Sequence, residues 1–154
     1  MADRQDEIST LNTLIVTLID SINGYEDAAA SSEGGRLPQM FRDRANERQR
    51  VVEDLRAEVR RLGGEPEQGG SFMGRAHQSW VDLKTAITGR NDKAIIDEVE
   101  RGEDYLKQKF ETALDSGKLA GESRALVERC YQSVKSGHDQ ISQLKHGMET
   151  GTHA

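Results

Sequence analysis

Apolar residues that recur every three or four positions without a break leave a chain few options besides a long helix packed along its whole length. Between Ile8 and Ala29 they fall at Ile8, Leu11, Ile15, Leu18, Ile22, Tyr25 and Ala29. A second run reads Phe41, Ala45, Val52, Leu55, Val59 and Leu62, with Arg48 standing where the period asks for an apolar residue. A third holds Ile95, Val99, Gly102, Leu106, Phe110 and Ala113, and a fourth Val127, Cys130, Val134, Gly137, Ile141, Leu144 and Met148. No stretch alternates in twos, so the spacing predicts an all-α chain.

Turn residues divide the runs. Gly34-Gly35 ends the first helix, and Pro38 opens the second at a position whose missing N–H costs nothing. Gly63-Gly64 closes it. Pro66 and Gly69-Gly70 make a loop, and Ser71 caps a shorter helix to about Ile87 that carries Phe72, Trp80 and Leu83. The third long helix runs from Asp92 to about Leu114, and the fourth from about Glu122 to Met148. Short links make helices one and two a hairpin, and three and four another. The link from Gly63 to Asn91 is long enough to return along the bundle. A ferritin-like four-helix bundle is therefore expected, with an extra short helix in the crossover between helices two and three. The expected limits are an N-terminal extension over 1–7, the bundle over 8–148 and a polar tail over 149–154.

Only 34% of the 154 residues are hydrophobic, 31% are charged and two are proline, which suits a single helical domain with a wet exterior. The net charge of −6 offers no footprint for nucleic acid or an anionic surface. Arg36 to Arg61 does hold eight arginines against five acids, but they are interleaved, as on a solvated face of i,i+4 pairs. The single cysteine, Cys130, excludes an internal disulfide framework. No apolar run approaches a membrane span, and the first ten residues lack an export signal's apolar core, so a cytoplasmic location is expected.

The segments SINGYEDAA in the first helix, LGGEPEQGGSFMGRAHQSW across the crossover, NDKAIIDEVERGEDYL in the third and YQSVKSGHDQI in the fourth resemble an uncharacterised bacterial family of ferritin-like four-helix bundles, a domain of unknown function. The resemblance spans about Ile8 to Leu144. It implies the bundle and its bacterial origin, and no activity.

Ferritin-like di-iron centres take one Glu from each of two helices and Glu-x-x-His from each of the other two. Glu26 beside Tyr25, and Glu103 between Val99 and Leu106, suit the first part. Helix two offers Glu47-x-x-Arg50 and helix four Glu128-x-x-Tyr131, so the histidines of the pattern are missing. Three accounts of the polar residues near the seams compete, the plainest being that they simply face solvent. In the second, Glu26, Arg48, Glu100, Glu103 and His138 form a structural polar layer in which the arginine supplies the charge a metal would otherwise give. In the third, Glu26, Glu103 and His138 hold Fe, Mn or Zn in a degenerate metal site with oxidoreductase or storage activity. His77 and Trp80, three apart on the crossover helix, read as an aromatic packed over the bundle with a polar edge, with a ligand pocket at the crossover as the alternative. Gly102 and Gly137 each cost roughly 1 kcal/mol relative to Ala, a cost that close backbone approach between helices three and four would explain.

No motif names a reaction. The expected function is that of a non-enzymatic interaction or stress-associated structural protein without a cofactor, and its partner is unknown. Self-association as a homodimer is expected from Leu14, Ile19 and Ile96, which widen the apolar faces beyond one seam.

Overall fold

The computed structural model describes residues 3–32, 35–69 and 92–149. Among them are four α-helices: α1 Arg4–Ser31, α2 Leu37–Arg61, α3 Asp92–Asp115 and α4 Gly121–Glu149. The expected crossover helix, with His77 and Trp80, lies outside the described residues, as do residues 150–154 and the side chain of Met148.

α1 starts a turn earlier than its apolar run. The Asp3 carboxylate accepts from the Gln5 N–H, and Asp6 and Glu7 in the first turn favour the positive end of the helix dipole. Pro38 sits in the first turn of α2, and Arg60 and Arg61 complement its last. The C-terminus of α2 is a Schellman turn: Gly63 N–H donates to Arg60 O and Gly64 N–H to Val59 O, with Gly63 at a φ of 87°.

The seams become the core. Leu11, Ile15, Leu18, Phe41, Val52, Leu55, Val59, Ile95, Phe110, Val127 and Val134 are wholly buried in one contiguous cluster. α1 packs chiefly on α2 and α3 on α4, while α1 also lies against α3 and α2 more loosely against α4. The N-terminus of α1 meets the C-terminus of α2, where Ile8 lies against Gly64 and the Asn12 amide donates to Glu65 O and accepts from Glu67 N–H. The same end gathers the α3–α4 link, whose Ala120 N–H donates to Glu7, and the start of α4, whose Ser123 donates to Glu58. α3 therefore begins at the opposite end from the one where α2 stops, and the connection between Arg61 and Asp92 joins opposite ends of the bundle.

Leu14 and Ile96 are 1% and 0% exposed, and Ile19 packs against the core. Leu14 and Ile96 are thus taken up by the core of the single chain, and Ile19 remains partly exposed. None of the described helices is long and apolar enough to cross a membrane.

Candidate functional site

The polar layer sits at mid-height, between α1, α2 and α3. Arg48 occupies its seam position and is completely buried, the largest side chain among the described residues to be so. Its Nη2 donates to Glu103 Oε1 at 2.9 Å and its Nη1 to Ser21 Oγ at 2.9 Å. From α1 the Tyr25 hydroxyl donates to the other Glu103 oxygen, Oε2, at 2.5 Å, the length of a charge-assisted O–H···O⁻ bond. Glu103 is 1% exposed, so one buried carboxylate accepts from a guanidinium and a phenol together. The guanidinium lies 5.7 Å from the Tyr25 ring centroid, and that ring is tilted against Phe41 at 5.8 Å.

Two ion-pair partners and a phenol removed from water are stable only if each leaves few polar atoms unmet. Here both carboxylate oxygens and both terminal guanidinium nitrogens are met, and Arg48 Nε, also buried, is the atom without a hydrogen bond. Burial opposes the charge on Arg48, yet Glu103 and Tyr25 outweigh it and raise the guanidinium above its ordinary value. Burial, then the Glu103 charge, hold the Tyr25 phenol well above its usual range.

The predicted residues separate into distinct places. Arg48 and Glu103 meet. Glu26 is exposed on α1, one residue past Tyr25, and Tyr25 is the α1 side chain that reaches Glu103. His138 lies outside the layer, with Nε2 2.6 Å from Asp104 Oδ1 and Nδ1 3.2 Å from Asp139 Oδ1. Glu100 accepts from Lys145 of α4 at 2.8 Å. Glu26, Glu103 and His138 are therefore not brought together, and among the described residues no group of three or more His, Cys, Asp or Glu side chains could hold a metal ion. The helix-two and helix-four counterparts of the di-iron motif are otherwise engaged: Glu47 pairs with Arg44, and the Tyr131 hydroxyl donates to Glu111 at 2.6 Å. These residues do not fit a di-iron centre.

Gly137 differs from expectation in its reason. A Cβ there would stand 2.6 Å from Arg48 Nη2 and 3.0 Å from Arg44 Cζ, so the glycine makes room for two arginines of α2 rather than for the backbone of α3. A second polar cluster closes the end of the bundle where α1 begins. Glu58 accepts from Arg61 at 2.9 and 2.6 Å and from Ser123 at 2.6 Å, and the Arg61 bonds, followed by Ser123, hold its carboxyl below the usual range against the effect of burial.

Removing the Tyr25 hydroxyl alone is a mild test of the layer. Tyr25→Phe is expected to lower stability by about 1 kcal/mol, read from urea denaturation. Its pH dependence follows from the direction of the shift. A phenol raised in the folded state contributes stability that is complete below about pH 10, its unfolded value, and lost as the pH climbs above it. The wild-type midpoint should therefore fall more steeply than that of Tyr25→Phe in alkali, and parallel profiles would refute the buried Tyr25–Glu103 bond.

The fold and the layer define an all-helical bundle whose centre is closed by a buried ion pair. The chain belongs to the family described as "Domain of unknown function (DUF2383)", whose model matches residues 6–116, from the first turn of α1 to just past the end of α3. α4 lies beyond the matched residues. No curated protein matches the chain.

Proposed function

We propose that this chain is a ferritin-like bundle that has closed its centre with fixed charge and works through its outer surface, as a structural or interaction protein. The observation that carries the reading is Arg48. A guanidinium without contact to water, bonded to Glu103, neutralises the carboxylate that a metal would need and fills the space beside it. The pairing of α1 with α3 and of α2 with α4, and the connection between opposite ends of the bundle, support the ferritin-like topology. Buried polar layers of this kind best serve register, fixing which helix faces which.

The test is elemental analysis by mass spectrometry of untagged protein purified without chelator, before and after anaerobic incubation with ferrous iron. The expected result is metal far below one equivalent in both samples. Near-stoichiometric metal that disappears in Glu103→Ala would overturn the reading and place the chain among metal-storage or oxidoreductase bundles.

A further inference from the structure

We infer that the open side of the α2/α4 pair is the seat of a second copy of this chain, related by a two-fold axis running along the groove between the two helices. The inference rests on the reading that the outer surface does the work. α2 and α4 are the most loosely packed neighbours in the bundle, and a groove of about 400 Å³ opens between them. Its apolar lining comes from Val51 and Ala57 on one side and Leu126 and Cys130 on the other, and Asp54 and Arg129 stand exposed on its two walls.

Charge selects the occupant. Other charges on these two helices are already paired: Arg56 with Glu53, Arg124 with Glu128, and Arg61 both with Glu58 of its own helix and with Glu122 of α4. Asp54 and Arg129 make no ion pair among the described residues. One acid and one base on opposite walls of a groove form a self-complementary pattern. An axis along the groove lays α2 of each copy over α4 of the other, so Asp54 of each copy meets Arg129 of its partner subunit, twice in one isologous contact. An axis across the helices would instead set α2 on α2 and bring Asp54 against Asp54. The groove has no net sign that would favour a strongly acidic or basic partner.

The area is adequate. At ~1.5 Å per residue α2 is about 37 Å long, and two helices side by side present a face about 20 Å wide, or roughly 740 Å². A stable interface takes about 800 Å² from each partner. Stacked in this way, α2 and α4 of the two copies form a second four-helix core, antiparallel across the contact.

Sedimentation equilibrium on the full chain tests this. The expected result is a dimer at about 10 µM, with Asp54→Arg and Arg129→Asp each raising Kd tenfold or more and the double exchange Asp54→Arg/Arg129→Asp restoring it to within about threefold of wild type. Both side chains are exposed, so circular dichroism should show all three variants folded. A wild-type monomer at about 100 µM overturns the inference and leaves the groove to a different protein. Single reversals that leave Kd unchanged, or a double exchange that fails to restore it, overturn this interface. None of these outcomes touches the metal content on which the preceding reading stands or falls.

Discussion

Glu103→Ala is expected to lower stability by about 3–5 kcal/mol, because it leaves the Arg48 guanidinium charged, dry and without its counter-ion. Arg48→Met should cost a similar amount for the mirror reason, leaving the Glu103 carboxylate with Tyr25 as its one remaining bonded partner. For a chain of this length the loss corresponds to a melting temperature roughly 6–20 °C lower. The removal of both charges behaves differently. Arg48→Met/Glu103→Leu replaces the pair with apolar volume, and buried ion pairs exchanged in that way are often neutral or better. The double variant should therefore be more stable than either single one, a coupling that urea midpoints measured across the four proteins would show directly. Singles that cost under about 1 kcal/mol would place the pair among ordinary surface salt bridges. If the double variant is stable but populates aggregated or alternative forms, the layer's contribution is register rather than stability.

How much of this was legible follows from what helical spacing can and cannot encode. Arg48 was legible because an arginine falls on a strict apolar period, and a seam position buries whatever occupies it. Glu103 was half legible: the step from Val99 admits either Gly102 at three or Glu103 at four, and only packing against α1 and α2 decides that the carboxylate points inward while Gly102 is half-buried. Neighbours on a helix diverge by about 100°, so Tyr25 and Glu26 cannot both face the core, and the seam residue took the place. Ser21 lay off the first seam and gave no signal that a hydroxyl would receive Arg48. Long-range geometry was the least accessible. The cost of a glycine at Gly137 was visible, but its cause lies on α2, some ninety residues away. Leu14 and Ile96 looked like surplus apolar surface until the fold covered them.

Gly137 supplies the sharpest test of how tightly the layer is built, because the expected sign of one substitution depends on another. Inside a helix Gly→Ala ordinarily gains about 1 kcal/mol. At this position the added methyl would stand 2.6 Å from Arg48 Nη2, a distance that cannot persist. Arg44 nearby can yield, since it is partly exposed and held to Glu47 and Gln140 at the surface. Arg48 cannot move without parting from Glu103 or Ser21 in a dry interior. Overpacking strain and a weakened ion pair should outweigh the helix-propensity gain, for a net loss of roughly 2–3 kcal/mol in Gly137→Ala. In the Arg48→Met/Glu103→Leu background the guanidinium is gone, and the same methyl fills space that the arginine's end has vacated. There Gly137→Ala is expected to be neutral or to stabilise by up to about 1 kcal/mol. Denaturant titrations in both backgrounds read the reversal, and an equal loss in both would mean that the methyl meets something other than Arg48.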